Sequence, residues 1–306
     1  MYMQTSPAGL VSVLLSVYNG ELALNQTIES ILGQSYHNIE FVIVNDGSTD
    51  STLSVLEHYQ KADKRIKILN KPNTGLIDSL NQGLQMCTGE FVFRQDAEDI
   101  SHKHRIEYML DYLAKHKHID CLVSLSFVVD TSYRIIGISN LLPFKSLDDA
   151  LRQNQNPFAH GAVAYRRAQV LALGGYPAVL HAEDHALWQR MYKSGLKFHL
   201  IRKPLFAYMK SDHGITYANR GVQLRTVLLS KGVSDETVFK KQLLKEQVGQ
   251  LILDGIPIEI TVPSGLTLYY YYLYMRFSLV SFVQIKILIP LVFRKYMVGF
   301  NAIRSN

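Results

Sequence analysis

The stretch Phe41-Val42-Ile43-Val44-Asn45-Asp46-Gly47-Ser48-Thr49-Asp50 decides the fold. An apolar run of strand length ends abruptly in an acidic turn. The pattern returns at Phe91-Val92-Phe93, which leads through Arg94 and Gln95 into Asp96-Ala97-Glu98-Asp99. Carboxylates at the carboxyl ends of parallel strands gather along one edge of an open sheet, where such folds bind ligands. A D-x-[DE] cluster there suits holding a divalent cation against a diphosphate through hard oxygen ligands. A third acidic pair, Glu183-Asp184, opens a helical pattern. These residues point to an enzyme that uses a nucleotide diphosphate.

Strand and helix patterns alternate on both sides of that stretch. A strand is expected at 11–16 and a helix at 22–34, with Leu24, Ile28, Ile31 and Leu32 on one face. After the strand 39–44 comes a helix from about residue 52, its buried side marked by Leu53, Leu56 and Tyr59 and its start capped by Asp50 or Ser51. A strand at 66–69, a helix at 76–86, a strand at 90–94, a helix at 104–116 and a strand at 121–129 follow. This βαβ series predicts an α/β fold with a mostly parallel sheet and flanking helices. The first strand-to-helix turn, Ser16-Val17-Tyr18-Asn19-Gly20-Glu21, lacks G-x-G-x-x-G, and no P-loop occurs. That argues against dehydrogenase-type dinucleotide binding and P-loop chemistry. Between 140 and 220 the pattern loosens into loops and short strands, with one helix at about 184–194.

A chain of 306 residues with 47% hydrophobic content can bury one large core, or one core and an appendage. Cys87 and Cys121 stand in apolar surroundings without metal-ligand spacing, so buried free thiols in a reducing compartment are expected. The short apolar run at 10–17 lacks a basic leader and reads as a first strand rather than a signal peptide. The net charge of +6 is unevenly placed. Five basic residues (Arg276, Lys286, Arg294, Lys295, Arg304) and no acidic ones follow residue 259, leaving 27 basic against 26 acidic groups before it. A basic, tyrosine-rich tail fits an anionic membrane surface; nucleic acid would need a basic face on the globular part. Arg276, Lys286 and Pro290 break any run of the roughly 20 apolar residues that a spanning helix needs. The tail from Pro263 therefore reads as an interfacial segment, with a buried helical subdomain as the alternative.

The opening Val11-Ser12-Val13-Leu14-Leu15-Ser16-Val17-Tyr18-Asn19, the turn Asn45–Asp50, Asn73-Thr74-Gly75-Leu76, the run from Thr88-Gly89-Glu90 to Asp99, and Gly174-Gly175-Tyr176 leading to Ala182-Glu183-Asp184 occur in that order. Over roughly residues 10–216 the chain resembles an inverting family 2 glycosyltransferase of the GT-A fold, of the bacterial surface-polysaccharide type. The resemblance implies a GT-A domain over 1–218 and a helical, membrane-associating segment over 219–306. It implies transfer of a sugar from a nucleotide diphosphate sugar, with a UDP-hexose expected, assisted by Mg²⁺ or Mn²⁺. The implied acceptor is a saccharide or lipid-linked oligosaccharide, the expected location the cytoplasm, peripheral on the inner face of the cell membrane. Rival readings are a sugar-nucleotide nucleotidyltransferase and an inactive membrane-bound scaffold on the same fold. The first usually opens with a Gly-rich basic loop, which Ser16–Glu21 lacks, and the second would be expected to lose an acidic position.

Carried onto this chain, the resemblance gives Asp46 to the uracil N–H, with Ser16, Tyr18 and Asn19 around the same pocket and Tyr18 as a stacking face. Asn73 and Arg94 join the donor set through their motifs. Asp96 goes to the ribose or metal shell and Glu98 to direct metal ligation, with Asp99 a possible substitute that could equally favour a helix start. Asp184 is the implied general base, Glu183 its neighbour that orients the acceptor or tunes the base, and a helix-capping role is the plainer alternative. Lys210 or His213 would neutralise the leaving phosphates, and His213 also joins the metal set. His160 is open to a functional or a structural reading. His102, His104, His116 and His118, interleaved with lysine and arginine, read as a solvated helix face.

Overall fold

In the computed structural model, which describes residues 9–139, 144–156, 158–179 and 182–210, the sheet is built outward from β1 (Val11–Val17) and β2 (Ile39–Asp46). Both strands are buried along nearly their whole length. They pair in parallel with each other, and β3 (Ile66–Lys71) and β4 (Phe91–Gln95) extend the parallel set on either side. Burial on both faces explains the unbroken apolar runs. Val11, Val13, Leu15 and Val17 enter one core with α1 (Leu24–Leu32), α2 (Thr52–Ala62) and α4 (Arg105–Lys115). Leu14 and Val42 enter the other with α3 (Leu76–Met86), α5 (Leu147–Arg152), α6 (Arg167–Ala172) and α7 (Glu183–Lys193).

The remaining strands are β5 (Ile100–Ser101), β6 (Cys121–Val129), β7 (Ile135–Ile138), β8 (Val163–Arg166) and β9 (Phe198–Met209). The order is β3-β2-β1-β4-β8-β6-β9-β5, with β7 on β6. β8 is antiparallel to β4 and β6, and β9 runs parallel to β6. The α/β expectation holds: a mostly parallel half is joined to a mixed one. α3 and β6 match their expected bounds. Within 140–220, where loops and short strands were expected, the described residues include the twelve-residue β9. Pro204 hides it in the sequence, and the register with β6 slips between Ser124 and Ser126 where Pro204 pairs, as a proline inside a sheet requires. Cys87 and Cys121 are buried free thiols, as expected. Among the described residues no helix is long and apolar enough to cross a membrane. His213, the boundary at 218 and the segment 219–306 lie outside the described residues.

One carboxylate, Glu40, fastens the sheet at the end away from the acidic turns. It accepts bonds from Ser12, from the Thr88 hydroxyl at 3.0 Å and the Gly89 amide at 3.3 Å, and from Lys67 at 2.6 Å. This gives the Thr88-Gly89-Glu90 motif a structural reason. Burial alone would raise the Glu40 carboxyl, but the bonds from Lys67, Ser12 and Thr88 outweigh it and hold it at about 2. A depressed folded-state value stabilises above the unfolded value, and that contribution is lost as pH falls from about 4.5 to about 2. Glu40→Ala should cost about 3 kcal/mol at pH 7. Urea denaturation should show the gap from wild type narrowing through that acid window.

Candidate active site

The loops after β1 and β2 are clasped to each other. The Asn19 side chain accepts from the Thr49 amide at 2.8 Å, and the Asn19 amide donates to Ser48 Oγ at 2.9 Å. Glu21 takes the Ser51 amide, and Asp50 takes the amides of Glu21 and Thr52. Asn19 has φ 52°, a left-handed conformation that asparagine tolerates. Its side-chain oxygen is thus used in the clasp. Tyr18 beside it is 51% exposed and presents a free ring face. Ser16 is half-buried at the end of β1, and Asn73 is exposed.

Asp46, 3% exposed, receives Lys71 Nζ at 2.5 Å and the amides of Thr74 and Gly75 at 2.9 Å each. Burial raises its carboxyl, yet these donors together bring it below its ordinary value. It therefore ties the Asn73-Thr74-Gly75 motif to the end of β2. Gly47 makes room for that motif: its φ is 69°, and a Cβ there would lie 2.4 Å from the Asn73 amide.

The loop 96–99 after β4 is also held from behind. Thr27 Oγ1 donates to the carbonyls of Ala97 and Asp99, at 2.8 and 3.0 Å. Asp99 is buried, its Oδ1 taking the Met209 amide at 2.7 Å, while Glu98 is exposed and Asp96 is 37% exposed. Burial, then the charge of Asp96, push the Asp99 carboxyl well up. Asp99 faces inward and leads into β5 rather than a helix, so the helix-start reading fails, and of the two neighbours it is Glu98 that is open to solvent. Arg94 is a second correction. It is fully buried, donating to Leu14 O at 3.1 Å and Asp96 Oδ1 at 2.6 Å. It positions the Asp96 carboxylate. Among the described residues no group of three candidate ligands converges. Asp96 and Glu98 still fit a hard divalent cation, provided diphosphate oxygens and water complete its shell. The backbone amide of Lys210 donates to Val129 O at 2.8 Å, which puts this lysine directly after β9 and next to the Asp99 contact.

Glu183 and Asp184 form the first turn of α7. The residue before them, Ala182, has φ 64°. Strain of this kind costs about 1–3 kcal/mol and clusters at functional sites. Asp184 Oδ2 receives Asn156 Nδ2 at 2.8 Å, and its Oδ1 receives the His185 amide at 2.7 Å. The N-cap is Ala182 and no side chain caps the helix, so the capping reading of Asp184 fails. Glu183 is 14% exposed, with His160 Nδ1 at 3.9 Å. His160 Nε2 bonds the Tyr176 hydroxyl at 3.0 Å. Asn81 grips the Tyr176 backbone at 2.7 and 2.9 Å. A Cβ on Gly175, whose φ is 76°, would meet the Asn81 side chain at 2.3 Å. The Gly174-Gly175-Tyr176 motif thus delivers a tyrosine to His160.

Burial, then the neighbouring Asp184, raise the Glu183 carboxyl to about 7. Burial also raises Asp184, against its two donors. Burial and Arg94 push His160 down to about 3, so it stays neutral and acts as a packed, hydrogen-bonding support. The Asp96 charge acts on both Glu183 and Asp184. Lys71, Asn81 and Asn156 were not anticipated, and Arg105, expected on a solvated helix face with the neighbouring histidines and lysines, is instead buried. Arg105 is fully buried, donating to Gly161 O at 2.6 Å and Ser101 Oγ at 2.8 Å between the rings of Phe93 and Phe206. Each acts on a partner far away in sequence, so no local motif announces it.

A partly parallel sheet with acidic loops at its carboxyl edge, and an acidic pair opening α7, make up an α/β architecture of the GT-A kind. The model of glycosyl transferase family 2 matches residues 12–174, more than half of the chain. The chain belongs to this family. It is 38% identical over 200 residues to an uncharacterized glycosyltransferase of Haemophilus influenzae, covering 61% of each protein. It is 29% identical over 187 residues to the UDP-Gal:alpha-D-GlcNAc-diphosphoundecaprenol beta-1,3-galactosyltransferase of Escherichia coli, covering 60% of this chain and 68% of that one. The fold resembles that of S. aureus TarS in complex with UDP-GlcNAc, with a TM-score of 0.58 at 21% identity, over 79% of this chain and 72% of that one.

Proposed function

We propose that this glycosyltransferase moves a hexose from a UDP-sugar to a hydroxyl of a lipid-linked saccharide, with inversion, in cell-surface polysaccharide synthesis. The supporting observation is the acidic pair Glu183–Asp184 at the start of α7, with Asn156 and the His185 amide bonding the Asp184 carboxylate, in a chain of a glycosyltransferase family. The uracil stacks on Tyr18, and Asp46, kept ionised by Lys71, accepts the imide N–H as one of its present donors gives way. Asp96 and Glu98 hold Mg²⁺ or Mn²⁺, which when bound supplies Lewis-acid stabilisation to the departing diphosphate. Asp184 takes the acceptor hydroxyl proton as that oxygen bonds to the anomeric carbon. The bond from that carbon to the diphosphate breaks in the same displacement, and UDP leaves. Lys210 and His213 balance its charge. The catalytic domain spans 1–218.

The basic, acid-free tail from Pro263 docks this domain on the anionic cytoplasmic face of the membrane. The test offers labelled UDP-, GDP- and dTDP-sugars to the full chain with anionic vesicles that carry a lipid-diphosphate-linked sugar. Transfer from a UDP-sugar, and co-sedimentation that weakens with salt, are expected. Transfer from GDP-sugars alone would overturn the donor assignment, and a chain that ignores the vesicles would make the tail a packing element.

A further inference from the structure

The turn after α5 grips the start of α7 at two points. Asn154 Oδ1 meets His185 Nε2 at 3.0 Å, and Asn156 Nδ2 donates to Asp184 Oδ2 at 2.8 Å. Asn154 has φ 55°, a left-handed conformation that asparagine tolerates. The amides of Asn154 and Gln155 close the turn on the carbonyls of Leu151 and Ala150, at 2.9 Å each. Further along α7, Gln189 Nε2 donates to Leu151 O at 3.1 Å. Leu147 and Leu151 of α5 share a core with Leu187 and Trp188 of α7. Packing and side-chain bonds thus fix this turn against the helix, and the turn carries Asn156.

Asn156 is poorly suited to holding two segments together. Its Oδ1 is buried without a partner, and an unpaired buried carbonyl oxygen weakens the folded state. Only its NH₂ group is used, and that meets Asp184. The other Asp184 oxygen, Oδ1, takes the His185 amide at 2.7 Å. With a donor on each oxygen, the carboxylate cannot turn without losing a bond. A carboxylate has about four lone-pair sites, so each oxygen can still receive a hydroxyl. Burial raises Asp184 most, and the bonds from His185 and Asn156 oppose it. Among charged groups, Asp96 raises it and Arg94 lowers it, while Glu183 stands beside it with His160 Nδ1 at 3.9 Å.

We propose that Asn156 is a positioning residue for the transfer, its side-chain amide holding the Asp184 carboxylate in the orientation that receives the acceptor's proton. This rests on the general-base reading of Asp184 given above. A hydrogen bond to a carboxylate also favours its ionised form, the form a base needs. Misplacing a reacting group slows a step even where binding is intact.

The experiment measures transfer against pH for the full chain, with the labelled UDP-sugar and acceptor vesicles described above. Wild type is compared with Asn156→Leu, which nearly keeps the size, and Asn156→Asp, which keeps the shape and replaces the donor with a carboxylate. Donor affinity and melting temperature are measured alongside. At neutral pH, Asn156→Leu should lose about tenfold in transfer, and the pH at which transfer is half lost should rise by about one unit. Asn156→Asp should move that pH further up, because a like charge adjoins Asp184. Repeating the comparison with Glu183→Gln removes the neighbour's titration, so the limb that moves is that of Asp184. Donor affinity should stay close to wild type, and Asn156→Leu should melt within a few degrees of it, since the unpaired oxygen leaves as well. If one variant fails to fold, the other carries the comparison. An unmoved pH profile, or a rate loss matched by lost donor affinity, would overturn the proposal. Asp184→Asn separates the two readings. Transfer within a few fold of wild type in that variant sinks the base reading itself. Lost transfer there, with normal profiles in both Asn156 variants, leaves Asp184 as base and removes Asn156 alone.

Discussion

Asp184→Asn should lower transfer by about 100-fold or more, while affinity for the UDP-sugar stays close to wild type. A sugar hydroxyl is a poor nucleophile at neutral pH, and a one-step displacement needs its proton removed as the bond forms. The fold should survive the change. The new amide oxygen can keep the His185 amide, and Asn156 can rotate its own amide to face the new NH₂ group. Asn156 Oδ1 is buried without a partner, so that rotation gives it one. Only the ionised carboxylate can act as base, and burial raises Asp184. Transfer should therefore fall, as pH is lowered, at a pH above the ordinary aspartate range. Steady-state kinetics against pH, with donor binding measured separately, checks both statements. Transfer within a few fold of wild type would remove Asp184 from the base role and leave Glu183 to be tested. A parallel loss of donor affinity would make Asp184 a binding residue.

Glu183→Gln is the informative companion to that variant. Glu183, raised to about 7, stands next to Asp184 and below His160, which Tyr176 and Asn81 hold in place. Asn156 and the His185 amide stabilise the ionised form of Asp184 rather than of Glu183. Of the pair, Glu183 is therefore the carboxyl that burial and its charged neighbour push up without such donors, and the proposed reading gives it the orienting of the acceptor.

The central strands were legible because a parallel strand buried on both faces leaves little room for polar residues. Only Glu40 interrupts the apolar part of β2, and it carries its own ring of donors. The acidic motifs were legible because a strand must end in a turn. What each acid does was not. Glu98 and Asp99 are neighbours in sequence, yet the chain folds back at that point, with the Asp99 amide on Asp96 O at 3.3 Å, and enters β5. One carboxylate is left in solvent and the other in the core. Arg94 looks like a ligand contact until all of β4 proves buried. β9 was lost because a proline in a strand ordinarily argues against one, and here a slipped register accommodates it.

Glu98→Gln should abolish most of the Mn²⁺-dependent gain in UDP affinity, a loss of about 10–100-fold, with folding stability within about 0.5 kcal/mol of wild type. The stability expectation follows from exposure. Glu98 points into solvent, and the loop is held by Thr27, Gln95 and the Asp99–Met209 contact, none of which involves its carboxylate. Asp99→Asn separates the two adjacent acids. Asparagine keeps an oxygen for the Met209 amide, so this variant should retain Mn²⁺-dependent UDP binding if Glu98 is the ligand. Titration calorimetry of UDP with Mn²⁺, and with chelator in its place, gives the decisive comparison. Loss in Asp99→Asn with retention in Glu98→Gln would reverse the assignment. Full transfer activity in excess chelator would remove the cation altogether and leave the leaving-group charge to Lys210 and His213. Asp96 would then serve as the ribose contact that Arg94 positions, since its ion pair with Arg94 does not depend on a metal.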